Sequence, residues 1–360
     1  MVRMINPAKF REIVSGRRQG LQASLLRILL RCLETPYALL TALRNVGYDY
    51  GLCNIESIDT PVISVGNLTL GGTGKTPLVQ WLARWYQDRS SRVALVSRGY
   101  KAAPGSLNDE ARELAEKLAR IPHIQNRNRV QAARQAIRDH QSQVILLDDG
   151  FQHRRLHRDL DIVLIDALEP YGHDHIFPRG MLRESLNSLC RADAIGLSRT
   201  DAVSTQQRKT IRNRVQTLAP QAVWFETVHQ PYQLIRHQKP ANNLTWLRNR
   251  SVAAFCGLGN PSGFQHTLTT CDCHIAAFRA LPDHYAYTQQ NLRSLATWLA
   301  HEPAVDAVVC TCKDLVKIGR SEIAGIPLYA LDIGMRFVHG QSDLEDCLQR
   351  LLTARHSVAA

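Results

Sequence analysis

Residues 62–77 read VISVGNLTLGGTGKTP, and this stretch decides the fold. Its end matches the phosphate-binding P-loop, whose usual pattern is G-x-x-x-x-G-K-[ST]. Thr69 stands where that pattern has its first glycine, so the stretch is a chance glycine cluster, a degraded loop or a P-loop of a particular kind. The residues before the loop are apolar like a buried strand, and Leu78, Leu82 and Trp85 recur after it at helical spacing. A strand, a glycine loop and a helix in this order predict nucleotide binding.

The loop carries the groups that a nucleotide phosphate requires. Backbone N–H groups of a glycine-rich turn point at phosphate oxygens, and the helix that follows adds its dipole. Lys75 is expected to reach the β- and γ-phosphates, and Thr76 is expected to ligate Mg²⁺. The predicted nucleotide-binding residues are Thr69, Leu70, Gly71, Gly72, Thr73, Gly74, Lys75 and Thr76.

Two adjacent carboxylates end the strand-like run VILLDDG at residues 144–150. A P-loop enzyme needs an acidic group at the end of a neighbouring strand to hold Mg²⁺. Asp148 and Asp149 meet this requirement, although an Asp-Gly turn at a strand end is also common without a metal. The pattern leaves open which of the two ligates the ion directly. Asp166 closes the next strand and is the weaker alternative.

Apolar runs alternate with helical patterns along most of the chain. VILLDDG and DIVLIDA are continuously apolar, as in parallel sheets that are covered on both faces. Strands that alternate with helices predict a doubly wound α/β domain. The pattern weakens at about residues 221–250, where we expect a linker, and then restarts. We therefore predict an N-terminal region at 1–55, a P-loop NTPase domain at 56–245 and a smaller α/β domain at 246–360.

Polar and basic motifs follow the strands at the edge of the sheet where the P-loop is expected. They are SRGY at 97–100, DDGFQHRRLHRD at 148–159 and PRGMLRE at 178–184. Each could be a solvated surface, but ligands of open α/β sheets bind at the carboxyl ends of strands. Basic groups there suit a polyanionic transition state and a phosphorylated acceptor. We predict a catalytic cation at Arg183 and substrate contacts at Arg98, Tyr100, Gln152, His153 and Glu184.

The composition favours an acidic partner without naming it. The 360 residues carry a formal charge of +12, and the pI is about 9.5. Nucleic acid, phospholipid and a phosphorylated metabolite all fit this balance. The nine scattered cysteines indicate reduced thiols, and zinc binding by the Cys-x-Cys pairs is the weaker alternative.

Residues 21–48 combine leucines with arginines and predict an amphipathic helix. Arg27, Arg31 and Arg44 break the apolar run, which is therefore too short for the roughly 20 apolar residues of a spanning helix. Pro36 is expected to interrupt it. The helix either packs on its own domain or lies in a membrane interface, with arginines at the headgroups and leucines below.

Seven motifs stand in a fixed order: VGNLTLGGTGKTP, VSRGY, NDE, DDGFQHRRLHRD, PRGMLRE, GLGNP and LPDHYAY. In this order the chain resembles the tetraacyldisaccharide 4'-kinase family of the lipid A pathway, over roughly residues 20–340. A P-loop without its first glycine is itself a mark of that family, so Thr69 indicates a loop of a particular kind. DDGFQH and the Asp283-His284 pair make the resemblance specific.

The resemblance implies two Rossmann-like α/β/α domains and ATP-dependent phosphorylation of the 4'-hydroxyl of a tetraacylated glucosamine disaccharide 1-phosphate. It places a catalytic carboxylate at Asp109 and its histidine partner at His284. A carboxylate oriented by an imidazole can accept the proton of an attacking hydroxyl. Because the acceptor carries acyl chains, we expect peripheral attachment to the cytoplasmic face of an inner membrane. Cys312 departs from the family pattern, which has glutamate there, and Lys101 and Asn108 replace family glycines.

Two other functional classes were weighed against the kinase. A P-loop GTPase or metallochaperone-type switch is suggested by Thr200-Asp201 and Lys313-Asp314, but neither pair has the asparagine of a guanine-reading Asn-Lys-x-Asp. A non-catalytic switch on membrane or nucleic acid fits the charge. Since no basic stripe is interleaved with aromatic residues, we expect no nucleic-acid partner, and no obligate protein partner is evident.

Overall fold

The computed structural model describes residues 7–99, 114, 117–118, 120–282, 285–302 and 304–356. The chain forms two compact units: unit 1 comprises Met1–Ser106, Lys117–Val228 and Phe337–Ala360, and unit 2 comprises Leu107–Glu116 and His229–Arg336. These boundaries differ from the predicted ones. The central part of unit 1 ends at Val228 and not at residue 245, and unit 1 also includes Phe337–Ala360 at the end of the chain. The last segment returns because Phe337 packs on Trp81 and Phe225, and Tyr86 donates a hydrogen bond to the carbonyl of Leu348.

Unit 1 is built on a parallel sheet with the strand order β7-β6-β5-β1-β4-β2-β3. Its strands are β1 (Val62–Asn67), β2 (Val93–Ser97), β3 (His123–Gln125), β4 (Val144–Asp148), β5 (Leu160–Asp166), β6 (Ala194–Ser198) and the first part of β7 (Val223–Arg236). Every residue of β1, β2, β4, β5 and β6 is buried, as expected of strands covered on both faces. The predicted α/β fold with a large parallel sheet is confirmed.

The register of the sheet sets the site. Strand β1 lies between β4 and β5, with Val65 opposite Asp148 of β4 and Asn67 opposite Leu164 of β5. The chain leaves β1 at Asn67 into the glycine loop, so the end of β4 lies directly beside the start of that loop. This order brings Asp148 and the P-loop to one edge, as the sequence predicts.

Helices complete unit 1. They are α1 (Pro7–Val14), α2 (Leu21–Asp49), α3 (Lys75–Gln87), α4 (Arg129–His140), α5 (Thr205–Leu218) and, at the chain end, α9 (Gln341–His356). Helix α3 buries Leu78, Val79 and Leu82 completely, which confirms the helical spacing after the loop. The stretch NDEARELAEKLAR at residues 108–120, whose pattern is typical of a helix, falls mostly outside the described residues.

Helix α2 has two faces of different character. Its inner face buries Ala23, Leu30 and Glu34, and Leu30 packs with Val14 of α1 and with Met181. Eight apolar side chains on the outer face are 50–85% exposed: Leu21, Leu25, Ile28, Leu29, Leu33, Leu39, Leu40 and Leu43. We call these eight residues the leucine face. None of the described helices is long and apolar enough to cross a membrane.

The helix does not break at Pro36, contrary to the prediction. A proline removes one backbone hydrogen bond of the ladder. Contacts on both sides of Pro36 offset this loss, since Glu34 accepts from the backbone of Ile176 at 2.8 Å and Asn45 donates to Glu184 at 2.7 Å. Tertiary contacts therefore hold the two halves in one helix.

Unit 2 is a smaller α/β assembly with the parallel strand order β10-β9-β11-β13. Strand β12 pairs antiparallel with β13, and β8 pairs antiparallel with the second part of β7. The strands are β8 (Lys239–Asn243), β9 (Ser251–Cys256), β10 (His274–Ala280), β11 (Ala307–Thr311), β12 (Glu322–Ile323) and β13 (Ile326–His339). The helices are α6 (Pro261–Thr269), α7 (Gln289–Ala300) and α8 (Cys312–Ile318).

The stretch expected to be a linker forms the β7–β8 hairpin instead. Its glutamines and asparagines hid the strand pattern, because they are polar on a surface that is only half buried. Gln233 lies opposite Asn243, and the turn between the strands uses Gln238 at a φ of 52°. Side-chain bonds such as that from Gln233 to Asp332, at 3.1 Å, tie the hairpin into unit 2.

We predict that stability changes with pH because of His123, which is half-buried on β3. Burial lowers the pKa of His123 on β3 to about 4, whereas a histidine of the unfolded chain titrates near 6.5. As the pH falls, the unfolded chain takes up this proton first, so the histidine's contribution to stability is complete above about pH 6.5 and is lost towards pH 4. Its share of the slope is at most about 1.4 kcal/mol per pH unit. We expect His123→Gln to flatten the dependence of the unfolding free energy on pH between these values, measured by urea denaturation.

His140 supplies the matched control, because it lies exposed at the end of α4. His140→Gln should leave the slope as in the parent chain. An equal slope in the parent and in His123→Gln would show that the imidazole of His123 is protonated as easily in the folded as in the unfolded chain.

Candidate active site

The glycine loop is clamped from one side by the PRGMLRE segment. Thr69 forms a bridge with Leu182, and the backbone N–H of Leu70 donates to the carbonyl of Met181 at 2.7 Å. Thr69 does not have the positive φ that would demand glycine, so a β-branched residue is tolerated at this position. The loop therefore differs from the usual pattern without being degraded.

The other side of the loop is held by the last residue of β6 and the residue after it. Ser198 donates its hydroxyl to the carbonyl of Thr73 at 2.8 Å, and Arg199 donates to the carbonyl of Gly72 at 3.1 Å. Arg199 also pairs with the carboxylate of Asp166. Asp166, the weaker metal candidate, is thus already neutralised by an arginine.

Helix α3 begins directly behind the loop. Gly74, at its N-cap, has a φ of 89°, a left-handed conformation that favours glycine. The helix then opens with Lys75 and Thr76, whose positions place the lysine and hydroxyl at the positive end of the helix dipole. A phosphate group bound at this end would accept hydrogen bonds from backbone N–H groups. It would also face the positive charge of Lys75 and the positive end of the helix dipole.

Asp149 holds two cations together. Lys75 Nζ lies 3.2 Å from Asp149 Oδ1, and Arg183 Nη1 lies 2.9 Å from both carboxylate oxygens. Burial alone would raise the pKa of Asp149, but Lys75 and Arg183 hold it well below its ordinary value. The carboxylate is therefore ionised throughout the neutral range. A lysine, an arginine and an aspartate of one cluster thus come from helix α3, the PRGMLRE segment and the end of β4.

The turn that carries Asp149 depends on a close approach of two backbones. A Cβ atom on Gly66 of β1 would lie 2.4 Å from Cβ and 2.8 Å from the backbone nitrogen of Phe151. No side chain fits between them, and Asp149 itself takes a φ of 56°. The glycine in β1 thus lets the DDGF turn lie against the strand that leads into the P-loop.

The candidate magnesium ligands are of the kinds that P-loop proteins use, a hydroxyl after the loop and carboxylates at the end of a neighbouring strand. Asp148 ends β4 and is 7% exposed, Asp149 follows it, and Thr76 stands in the first turn of α3. Mg²⁺ keeps several waters and takes one or two carboxylates together with substrate phosphates. The described residues contain no cluster of three or more histidine, cysteine, aspartate or glutamate side chains that could hold a metal alone. The donor set therefore suits an ion that arrives with a nucleotide.

Glu184, predicted as a substrate contact, is instead a buried hub. It is 3% exposed, and its two oxygens accept from Asn45, Gln152, Ser188 and Arg191 at 2.7–3.1 Å. With its oxygens occupied, it supports neighbouring side chains. Gln152 connects the hub to the cluster, because its Oε1 accepts from Arg183 at 3.2 Å.

His153 and Arg98 both lie within electrostatic range of Arg129. Burial first, and then the surrounding arginines, of which Arg129 has the largest effect, together lower the pKa of His153 to about 4. The imidazole is therefore neutral at physiological pH. Arg98 is exposed at the end of β2, close enough to Arg129 to lower its pKa. The predicted basic surroundings of the site are present.

Arg129 is a site residue that the sequence analysis missed. It is the first residue of α4 and is only 7% exposed. Burial and Arg98 lower its pKa, whereas Asp149 and Asp148 raise it, so the guanidinium lies within electrostatic range of both carboxylates. Nothing in the sequence NRNRV distinguishes this arginine from a surface residue. Only the position of α4 brings it to the carboxylates.

Tyr100, Asp109 and His284 lie outside the described residues, and their predicted roles stay predictions. In unit 2, the Asp314 carboxylate is fully buried and accepts from Tyr287 at 2.8 Å, from the hydroxyl of Thr311 at 2.7 Å and from the backbone of Gly257 at 3.2 Å. These hydrogen bonds fix the loop at Gly257 and occupy the carboxylate oxygens of Asp314. The oxygens are therefore not available to accept hydrogen bonds from a guanine base.

Comparison with known proteins places the chain in a family. The family model described as "Tetraacyldisaccharide-1-P 4'-kinase" matches residues 26–353. Among similar proteins, a tetraacyldisaccharide 4'-kinase of Halothermothrix orenii is 34% identical over 357 residues, covering 89% of this chain and 92% of that protein. One of Anaeromyxobacter dehalogenans is 35% identical over 334 residues, covering 88% of each.

A crystal structure gives the same assignment. LpxK from Aquifex aeolicus, an "apo" form in complex with ATP, is 28% identical with a TM-score of 0.69, over 91% of this chain and 99% of that one. The fold and the matched length agree. The chain belongs to the tetraacyldisaccharide-1-P 4'-kinase family.

Proposed function

We propose that the chain transfers the γ-phosphate of ATP to the 4'-hydroxyl of a tetraacylated glucosamine disaccharide 1-phosphate, which gives the 1,4'-bisphosphate. The observation that carries this proposal is the Lys75–Asp149–Arg183 cluster at the start of helix α3. It lies in a chain that matches the kinase family over almost its whole length. The ATP complex of the Aquifex aeolicus protein supports ATP as the nucleotide.

The two cations of the cluster face the charge that develops in phosphoryl transfer. Such a transfer needs positioning and charge stabilisation more than covalent help from the protein. Lys75 and Arg183 are 16% and 23% exposed, so they sit in a partly desolvated place where electrostatic contacts are strong. We assign Lys75 to the β- and γ-phosphates and Arg183 to the transferred group. Asp149 keeps both side chains in place until the phosphates engage them.

We assign the magnesium ion to Thr76, Asp148 and Asp149. A bound Mg²⁺ neutralises phosphate charge and orients the γ-phosphate for attack. Asp149 is already ionised at neutral pH, so it needs to lose no proton to serve as a ligand. Arg98, Tyr100, Gln152 and His153 are the proposed contacts to the acceptor.

Asp109 and His284 are the proposed base and its orienting partner. A sugar hydroxyl has to lose its proton as it attacks the γ-phosphate, and an imidazole can hold a carboxylate in the correct position to accept it. The assignment rests on the positions of both residues in the family motifs.

We further propose that the leucine face attaches the protein to the cytoplasmic side of an inner membrane as a peripheral protein. The acceptor carries four acyl chains, and burial is worth about 0.8 kcal/mol per CH₂, so it does not leave a bilayer easily. The eight exposed residues of the leucine face give an apolar surface of matching kind. Leu26 of the same helix packs inward, against the cluster of Val14, Leu30 and Met181.

The arginines of α2 contribute less to this attachment than their sequence suggests. Arg27 donates to the carbonyl of Arg18 at 2.9 Å, Arg31 lies 3.0 Å from Glu34, and Arg44 donates to the carbonyl of Gln152. Arg31 keeps 62% of its side chain exposed and is the best placed of the three for a headgroup. Apolar insertion is therefore the main proposed force.

Lys75→Ala should reduce the rate of phosphate transfer about a hundredfold to a thousandfold with the fold intact. An electrostatic contact of this kind is worth about 3–4 kcal/mol in the transition state. Turnover is measured with ATP and purified tetraacyldisaccharide 1-phosphate. The control is Lys209→Ala, an exposed lysine on α5. If Lys75→Ala keeps activity within about threefold of the parent, the P-loop lysine has no part in the reaction.

Asp109→Ala and His284→Ala should act on one step. Each should lower kcat more than it raises KM for ATP, and the double variant should be little worse than the more damaging single one. Steady-state kinetics of the three variants measure this coupling. Independent roles predict instead that the two losses multiply.

The membrane proposal predicts that polar substitutions on the leucine face release the protein from vesicles. The test chain carries Leu25→Gln, Leu29→Gln, Leu33→Gln and Leu40→Gln, which retain good helix formers. Burying one leucine side chain in the membrane contributes about 1.5–3 kcal/mol to binding. The binding of the variant chain to vesicles should therefore fall more than tenfold. High salt should release only part of the parent chain, because salt screens charges and leaves apolar insertion intact.

Flotation with anionic vesicles measures both effects. The control carries four substitutions at exposed positions of α5: Gln206→Ala, Lys209→Ala, Thr210→Ala and Asn213→Ala. If the leucine-face variant floats as well as this control, another surface attaches the protein. Point substitutions are preferred to deletion of the helix, since deletion also removes Glu34 and Asn45.

A further inference from the structure

The last turns of helix α2 contact the DDGFQHRR turn directly. Arg44 donates to the carbonyl of Gln152, and Arg154 donates to the carbonyl of Asn45 at 3.1 Å and to Asp49 at 2.7 Å. Arg154 is itself 7% exposed. The helix that carries the leucine face is therefore joined to the turn that carries Asp149 through three polar contacts, two of them partly buried.

Asn45 makes the contact that reaches furthest into the site. Its Nδ2 donates to Glu184 Oε2 at 2.7 Å, across 139 positions of the chain. The other donors to Glu184 include Ser188 and Arg191, which belong to the segment that follows it. Asn45 is thus the donor that fixes this carboxylate to helix α2.

A series of hydrogen bonds and ion pairs connects Glu184 to Arg183 and Lys75, the two cations of the proposed active site. Gln152 donates its amide to Glu184 Oε1 at 3.0 Å, and the amide oxygen of the same side chain accepts from Arg183 at 3.2 Å. Arg183 in turn holds Asp149, which holds Lys75. Because the hydrogen bonds of Gln152 orient its amide group, the place of Arg183 depends on where Glu184 lies.

The electrostatics of Glu184 make it sensitive to a lost donor. Burial would raise its pKa, and Arg191 together with the hydrogen bonds from Asn45, Ser188 and Gln152 lowers it below the ordinary value. A buried carboxylate that loses a donor is left partly unsatisfied and shifts or admits water. That shift is transmitted to Gln152.

The structure assigns to Asn45 the role of a positioning residue for phosphate transfer: through Glu184 and Gln152 it holds Arg183 over the P-loop. This inference rests on the proposed kinase function, since Arg183 matters here as the cation of that reaction. Supporting groups of this kind change activity about tenfold to a hundredfold when removed.

Two variants of similar size separate the hydrogen bond from packing. Asn45→Leu removes the donor, and Asn45→Gln keeps an amide that can still reach Glu184. We expect Asn45→Leu to lower kcat at least tenfold with KM for ATP within about twofold, because the loop that binds ATP is unchanged. Asn45→Gln should recover most of kcat. Asn213→Leu, at an exposed position of α5, is the control.

Hydrogen exchange gives a readout that does not need activity. Peptides that cover residues 149–154 and 182–190 should exchange faster in Asn45→Leu than in Asn45→Gln, with the exchange of helix α3 unchanged. If the parent chain is active and Asn45→Leu keeps its kcat, or if both variants lose kcat equally, the positioning role is wrong. If the parent chain transfers no phosphate, the proposed function fails, and the exchange data alone decide whether Asn45 holds this segment.

Discussion

One carboxylate, that of Asp149, joins three parts of unit 1 that are distant in sequence. It accepts from Arg183 and pairs with Lys75, so the turn after β4, the PRGMLRE segment and the first residue of α3 meet at one point. The arrangement is possible because Gly66 lets the turn approach β1 and because Gly74 lets the helix start at the end of the loop. A phosphate group is an anion like the carboxylate of Asp149. It can therefore take the place of this carboxylate between Lys75 and Arg183 without a large conformational change.

Helix α2 faces two environments, and its two faces have different energetics. The inner face is polar where it meets the site, with Glu34 and Asn45 bonded to the loops at 176 and 184. The outer face is apolar and exposed to a degree that is unusual for large side chains of a folded protein. A helix used only for packing needs no such outer face, and a helix used only as an anchor needs no asparagine bonded to a buried carboxylate. Under the membrane proposal, one element would serve both attachment and the geometry of the site.

Unit 2 shows the same use of a buried carboxylate as a scaffold. Asp314 caps helix α8 and accepts from Tyr287 and Gly257, so it joins two loops through charge-assisted hydrogen bonds. The neighbouring Cys312, which stands where the family pattern has glutamate, is buried with its thiol 3.6 Å from the carbonyl of Leu331 and 3.9 Å from Asp332. A thiol can donate weakly to both oxygens, whereas a glutamate carboxylate would face a like charge there. The departure at this position is thus compatible with the local structure of this chain.

The sequence by itself determined the features that depend on neighbouring residues. Local patterns predict the P-loop, the helix behind it, the continuously apolar strands and the carboxylates at the end of β4. This is possible because strand burial, helix periodicity and the conformation of glycine each depend on a few neighbouring residues. Family motifs added the identity of the reaction and the candidate base at Asp109, which local chemistry alone would assign to a helix cap. The tertiary structure alone decided the positions and contacts of Arg129, Asn45 and Glu184, the continuity of α2 through Pro36 and the β7–β8 hairpin. Each of these depends on contacts between residues far apart in the chain, such as the 139 positions between Asn45 and Glu184, and the spacing of residue types carries no signal for such contacts.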